Sequence, residues 1–184
     1  MRLRLAALVL AIGAALACDG EGVRPNTTIA ASDTADQRLD GFSHHVMSPE
    51  GIRRSRVEAD TAFFYEATQV TDLRKIRVVF FDARGEEGST LTARTGTYRW
   101  QDGSMEANGS VVVVAPDGRT LRTETLTYDN PTNTISTSKH FTFDRGTEHL
   151  EGNSFKSDPD FKNVVTDRPR GVAGDGLLLP GQER

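Results

Sequence analysis

An internal repeat of about thirty residues constrains this chain more than any other feature of its sequence. The segment that starts at Leu91, LTARTGTYRWQDGSMEANGSVVV, aligns with the segment that starts at Leu121, LRTETLTYDNPTNTISTSKHFTF. A looser copy starts at Val57 and a partial copy at Leu150. Repeats of this length are supersecondary units that stack and bury a continuous apolar face. We therefore expect about three full units and one partial unit with a common architecture.

Each repeat alternates apolar and polar residues with a period of two. The segments 126–128 (LTY) and 141–143 (FTF) are examples, and this period is typical of half-buried β-strands. Turn residues such as Asp102-Gly103, Asn108-Gly109 and Asp117-Gly118 lie between the strand-like segments. The pattern predicts an all-β fold of short antiparallel strands joined by tight turns.

Composition excludes several classes of function. The chain has 184 residues with a formal net charge of -4 and a pI of about 5.6, which argues against nucleic acid as a partner. It has one cysteine, so it forms no intrachain disulfide and no zinc site of clustered cysteines. Its length and its hydrophobic content of 36% suffice for one modest domain with a buried core.

A targeting segment precedes the repeats. Arg2 and Arg4 are followed by the apolar run LAALVLAIGAALA, which ends directly before Cys18. This run is shorter than the roughly 20 residues of a membrane-spanning helix and is typical of a cleaved signal peptide. The segment 15–17 (ALA) fits an ordinary secretory signal, whereas Cys18 stands where a bacterial lipoprotein carries its acylated cysteine. We favour the lipoprotein, with a lipid anchor on Cys18, because a lone thiol at this place is hard to explain otherwise.

These signals divide the chain into four parts. Residues 1–17 are the expected signal peptide, and residues 18–40 are the lipidated cysteine with a flexible tether. Residues 41–167 contain the repeats and form the expected domain. Residues 168–184 lack periodicity and form the expected C-terminal tail.

Motifs of catalysis and metal binding are missing from the sequence. The chain has no G-x-S-x-G elbow, no H-E-x-x-H pair and no phosphate-binding glycine loop. The adjacent His44 and His45 would point to opposite faces of a strand and cannot easily share a metal ion. The segment Asp158-Pro159-Asp160 lacks the spaced oxygen ligands of a calcium loop, and a turn explains it better. We therefore expect no enzymatic activity, no cofactor and no metal.

The motifs of the repeats resemble those of a known family. The pattern L-x-A-x-x-G-x-Y, followed by M-E-A-x-G-x-V-V-V and D-G-R-x-L-x-T-E-x-L-x-Y-D, resembles the OstA-like β-jellyroll of the periplasmic lipopolysaccharide transport proteins. Within that group the chain is most similar to the LptC family, on the segments 48–51 (SPEG) and 150–155 (LEGNSF). The resemblance covers residues 42–167. It implies an antiparallel β-jellyroll, arranged as an open two-sheet sandwich.

The resemblance also implies a non-enzymatic function. Proteins of this family hold the acyl chains of lipopolysaccharide in an apolar groove and pass the lipid from the inner-membrane ABC transporter to the periplasmic LptA bridge. Each CH₂ group kept out of water is worth about 0.8 kcal/mol, so the acyl chains must be covered along the whole path. The inward positions of the repeats are the expected groove lining: Leu91, Tyr98, Met105, Val111, Val113, Leu126, Tyr128, Ile135, Phe141 and Phe143.

Open edge strands are the expected partner sites, since their unpaired backbone groups can pair with another chain. The resemblance implies that the N-terminal edge, from Phe42 to Met47, meets the membrane subunits of the transporter. The C-terminal edge, with Phe161, Val164 and Thr166, would meet an LptA-like protein. Members of the family usually have an N-terminal transmembrane helix, which a lipid on Cys18 would replace here. The expected location is therefore the periplasmic face of the bacterial inner membrane.

Two alternatives stay open at this point. A soluble LptA-like bridge subunit would follow if Cys18 is not acylated. A membrane-anchored β scaffold with a filled core and no lipid cargo would show the same alternation, because a closed core and a groove both require one apolar face on each strand.

Overall fold

The computed structural model describes residues 34–167 and 169–172, and these residues form twelve β-strands. The all-β class expected from the period-two alternation is confirmed. The signal peptide 1–17, Cys18 and residues 173–184 of the tail lie outside the described residues. The strands are β1 (Gln37–Met47), β2 (Arg53–Tyr65), β3 (Val70–Phe81), β4 (Glu87–Arg99), β5 (Met105–Val114), β6 (Thr120–Asp129), β7 (Thr134–Thr137), β8 (Phe141–Arg145), β9 (Glu148–Gly152), β10 (Phe155–Ser157), β11 (Val165–Thr166) and β12 (Arg170–Val172).

Two strands extend beyond the expected domain limits of 41 and 167. β1 begins at Gln37, inside the segment expected to be a tether, because Gln37 pairs with Phe64 and continues the ladder with β2. β12 lies inside the segment expected to be a tail and pairs with β9. Side-chain alternation does not mark these residues at the two ends as part of the fold, but their backbone pairing shows that they belong to it.

The described strands form one continuous antiparallel sheet in the order β1-β2-β3-β4-β5-β6-β7-β10-β11. The sheet branches at β6, whose C-terminal half pairs with β7 and whose N-terminal half pairs with β8. β8 then pairs with β9, and β9 with β12. Among the described strands, β1, β11 and β12 each have a single neighbour and are the open edges.

A line of irregular positions crosses the first five strands. In each strand the ladder is interrupted, and these interruptions lie opposite one another at Gly41, Asp60, Lys75, Arg94 and Gly109–Ser110. The φ angles of Gly41, Lys75, Gly109 and Ser110 are positive, at 74°, 50°, 81° and 52°. Unpaired residues and positive φ angles bend a strand. The sheet therefore folds along this line, which we call the crease.

The crease divides the sheet into two layers. The first layer contains β7, β10 and β11, the second contains β8, β9 and β12, and β1 to β6 cross the crease into both. The layers face each other, since the ring of Phe80 in the second layer lies 5.0 Å from that of Tyr128 in the first. Phe141 and Phe155 make a similar contact, with 5.2 Å between the ring centroids. The expected two-sheet sandwich is thus made from one creased sheet.

The core lies between the two layers, and loops close it opposite the crease. Asn130, between β6 and β7, donates from Nδ2 to the carbonyl oxygen of Met47 at the end of β1, over 3.1 Å. Arg119, between β5 and β6, donates to the carbonyl oxygen of Asp160, between β10 and β11, over 2.9 Å. The layers are therefore joined by backbone along the crease and by side-chain hydrogen bonds along the opposite side.

Candidate functional site

The inward positions of the repeats lie between the layers. Nine of the ten residues expected to line a groove are buried, each with 3% or less of its surface exposed, and Tyr98 is half-buried. Val111 and Val113 point inward although the run 111–114 is apolar throughout, because Val112 and Val114 lie on the other face. In this structure the interior is filled by these side chains, which form one hydrophobic cluster.

An aromatic opening lies between β1, β2 and β4. A cavity of about 340 Å³ is lined there by Phe42, His44, Phe64, Thr71, Tyr98 and Trp100. The ring centroids of Phe42 and Phe64 are 5.9 Å apart, and those of Phe64 and Trp100 are 6.3 Å apart. Phe42, Phe64 and Tyr98 also pack against the hydrophobic cluster, so the opening leads directly into the interior.

Polar atoms at the aromatic opening are paired and uncharged. The indole nitrogen of Trp100 donates to Oγ1 of Thr71 over 2.7 Å, and the Tyr98 hydroxyl lies 3.3 Å from Nε2 of His44. Partial burial lowers the pKa of His44, with a smaller contribution from the neighbouring His45. Burial also raises the pKa of Tyr98. Near neutral pH both rings are therefore neutral, and the opening presents an apolar surface.

Sequence reasoning missed most of this opening. His44 is exposed in the edge strand, and its ring also packs edge-on against Tyr98 with 5.5 Å between centroids. Phe64 and Trp100 were not expected to contribute. Phe42 was assigned to a partner edge, and the structure shows it both in the edge strand and in the lining. The only available signal was the aromatic content of segments that the crease brings together.

Among the described residues, the buried polar side chains are those of serine, threonine, tyrosine and Asn130, and none of them is charged. The Tyr128 hydroxyl donates to Oδ1 of Asn133 over 3.1 Å, and burial raises the pKa of Tyr128 well above its usual range. The hydroxyl oxygens of Ser55, Ser89 and Ser157 are buried without a hydrogen-bond partner among the described residues. The interior is therefore suited to apolar material.

The N-terminal edge of the described sheet is β1. This strand pairs with β2 alone, and most of its residues are exposed. Leu39 and Met47 are large apolar side chains of this strand with 47% of their surface exposed, and the other exposed side chains between them are polar.

The C-terminal edge differs from expectation. Phe161 was assigned to a partner-facing strand but lies in the loop between β10 and β11, where its φ angle is 57° and its side chain is 2% exposed. Val164 precedes β11 and packs against the core, and only Thr166 of the three residues lies in a strand. β11 has only two residues: Thr166 pairs with Phe155, and Val165, which is 64% exposed, pairs with Lys156.

Within residues 34–167 and 169–172, no group of three or more acidic, histidine or cysteine side chains could hold a metal ion. Asp158 accepts hydrogen bonds from the backbone N–H groups of Asp160, Lys162 and Asn163, which is the geometry of a turn. The same described residues include no helix long and apolar enough to cross a membrane.

Two comparisons relate the chain to known proteins. The model of the family described as "Lipopolysaccharide-assembly, LptC-related" matches residues 4–164. Among solved structures, the fold is similar to that of LptH from Pseudomonas aeruginosa, described as the LptA homologous periplasmic component of the conserved lipopolysaccharide transport device, with a TM-score of 0.50 and 17% identity. That alignment covers 68% of this chain and 88% of LptH. No curated protein matches the sequence. Because the family match spans most of the chain, we conclude that it belongs to the LptC-related family of lipopolysaccharide-assembly proteins.

Proposed function

We propose that the chain holds the acyl chains of lipopolysaccharide between its two layers and passes the lipid from an inner-membrane ABC transporter to a periplasmic LptA-like bridge. Membership of the LptC-related family gives it a role in lipopolysaccharide transport, in association with the periplasmic side of the inner membrane. The observation that carries the finer proposal is the hydrophobic cluster that runs without a break from the aromatic opening to the buried Phe161. No residue is assigned a catalytic role.

Lipid binding requires the two layers to separate. The interior side chains are closely packed, so an acyl chain must take space that these side chains now fill. A chain of about 12 CH₂ groups gains about 10 kcal/mol when it leaves water, which can offset the cost of parting the layers. The crease is the natural hinge, because its residues already lack regular pairing.

The open edges supply the contacts to partners. β1 would pair with a strand of the transporter's membrane subunits, and β11 with β12 would form the surface for an LptA-like protein. Strand pairing at both edges would align the apolar interior of this chain with those of its neighbours. The lipid would then stay covered while the transporter moves it.

A lipid on Cys18 is the proposed membrane anchor. The family match begins at residue 4 and so includes the apolar run before Cys18. Labelling cells with a clickable fatty acid tests this anchor in the wild type and in Cys18→Ser. We expect label only in the wild type, whereas equal absence of label from both would favour a soluble bridge subunit.

The single tryptophan of the chain, Trp100, reports on the opening. Full-length protein would be titrated with lipopolysaccharide whose acyl chains carry bromine, which quenches indole fluorescence on contact. We expect saturable quenching. The matched control is Trp100→Phe with Val114→Trp, which moves the indole to an outward position that is 43% exposed, and there we expect little quenching.

A filled scaffold domain is the second candidate, since nine of the ten lining residues are buried as the core of such a domain requires. Equal quenching at both tryptophan positions, or none at either, would support the scaffold and contradict the carrier.

A further inference from the structure

The loop between β10 and β11, residues 158–164, inserts an aromatic ring into the interior. Phe161 is 2% exposed, and its ring centroid lies 5.1 Å from that of Phe143 and 5.9 Å from that of Phe155. Phe143 and Phe155 belong to different layers, on β8 and β10. The Phe161 ring therefore fills the space between the layers on the side of the molecule away from β1.

Arg119 holds this loop from the opposite layer. Its guanidinium donates to the backbone carbonyl oxygens of Phe161, over 2.5 Å, and of Asp160, over 2.9 Å. Asp117 orients the guanidinium through a contact of 2.7 Å to Nε. Arg119 lies in the turn between β5 and β6, so these hydrogen bonds join the second layer to a loop of the first.

The closed loop combines a strong internal frame with a strained residue. Asp158 accepts hydrogen bonds from the backbone N–H groups of Asp160, Lys162 and Asn163 and from the side chain of Asn163. Phe161 nevertheless has a φ angle of 57°, a conformation that costs free energy for a bulky residue. The loop is thus kept closed by Arg119 and by burial of the ring, against its own backbone preference.

We infer that this loop is a latch over the interior, held by Arg119, and that an acyl chain of lipopolysaccharide displaces Phe161 when it fills the space between the layers. The inference rests on the proposed function, because it identifies the side chain that a bound acyl chain must displace. Release of the strained backbone at Phe161 favours opening, while loss of the two Arg119 hydrogen bonds opposes it. The aromatic opening near β1 has no comparable cover among the described residues, so the two sides of the molecule differ.

Hydrogen exchange on the full-length protein tests the latch directly. The probes are the amides of residues 160–163, which are all hydrogen-bonded to Asp158 in the closed loop. We expect saturating lipopolysaccharide to speed their exchange by about tenfold, because the loop opens. The matched control is the turn between β6 and β7, away from Arg119, where Asp129 similarly accepts from the amide of Thr132 and the carbonyl of Asn130 from that of Asn133. Equal acceleration in both loops would indicate general loosening and overturn the latch.

A variant tests the role of Arg119 separately. If the closed state limits binding, Arg119→Gln should bind lipopolysaccharide about tenfold more tightly than the wild type, since a larger fraction of the protein is open. Arg122→Gln is the control, because Arg122 is exposed and pairs with Asp144 away from the loop. Melting curves of both variants establish that they fold.

The outcomes separate the latch from the proposed function. Lipid binding with unchanged exchange in residues 160–163 and unchanged affinity in Arg119→Gln would overturn the latch and leave the carrier intact. A wild type that binds no lipopolysaccharide would overturn both.

Discussion

His44 and Tyr98 illustrate how single residues keep the aromatic opening apolar. Nε2 of His44 and the hydroxyl of Tyr98 lie 3.3 Å apart, and partial desolvation disfavours a charge on either ring. His44 is exposed on its outer side, so its neutral ring forms the rim of the opening and Tyr98 lies deeper. The pairing thus links a local hydrogen bond to the chemistry of the whole opening.

The lowered pKa of His44 predicts how stability depends on pH. Because the folded-state pKa lies below the ordinary value of 6.5, the unfolded chain binds this proton more readily than the folded chain. The stability that the neutral His44 ring contributes is therefore complete above pH 6.5. It is lost as the pH falls from that value through the folded-state pKa of His44. Carboxylates with lowered pKa values, such as Asp82 and Asp129, act in a separate range, at and below 3.8.

Melting temperatures measured from about pH 7.5 to about pH 5 check this prediction. In His44→Gln we expect a smaller decrease across that range than in the wild type. A decrease of the same size in both proteins would contradict the role given to His44.

Backbone geometry, more than charge, determines the crease at the scale of elements. Lys75 pairs with Asp60 over 2.8 Å and Arg94 with Glu124 over 3.5 Å along the crease, but all four side chains are more than half exposed. Exposed ion pairs contribute little, typically below about 1 kcal/mol. The bend is therefore maintained by unpaired positions and positive φ angles, including that of Ser110.

Introducing a glycine at the crease and replacing one there should change the free energy of unfolding in opposite directions. Ser110→Gly should stabilise the fold by about 0.5–1 kcal/mol, because glycine adopts a positive φ angle without steric cost. Gly109→Ala should destabilise it by about 1–2 kcal/mol for the converse reason. Urea unfolding measures both. Ser43→Gly, on β1 outside the crease, is the control and should be slightly destabilising, and a gain of stability there would undermine the assignment.

The two edges should respond independently to a charge. Leu39→Lys on β1 should weaken cross-linking to the transporter's membrane subunits, and Val165→Lys on β11 should weaken capture of an LptA-like protein. Each side chain is about half exposed or more, so the free energy of unfolding should change by less than about 0.5 kcal/mol. Each variant is the control for the other. Loss of both partners in either variant would contradict separate edges.

For the whole molecule, the strands could be predicted and the way they fold together could not. Period two marks which residues point inward, so Leu91, Met105 and Phe143 were assigned to the interior from sequence and are buried. The crease was marked in the sequence only at Asn108-Gly109, which was interpreted as a turn between strands but lies within β5. Elsewhere it was not visible, because Lys75 and Ser110 adopt positive φ angles that their residue types do not indicate. Phe161 was wrongly assigned to an edge strand, because the alternation of apolar and polar residues ends at the turn that begins with Asp158. The aromatic opening depends on contacts between β1 and β4 that only the folded sheet creates.

The layered fold also explains why burial alone cannot distinguish a carrier from a scaffold. A closed interior is expected for both when no lipid is bound, since apolar side chains collapse on one another in water. The difference lies in whether the layers part around acyl chains, so the deciding observation is contact between lipid and an interior residue.

Site-specific photocrosslinking in cells tests that contact most directly. The probe is placed at Tyr128 and Phe143, which are buried between the layers, and at their outward-facing neighbours Thr127 and Thr142 as controls. We predict adducts with lipopolysaccharide at the two interior positions alone, lost when the transporter's ATPase is disabled. Folded protein that gives no adduct at any of the four positions would contradict the carrier and leave a filled scaffold domain.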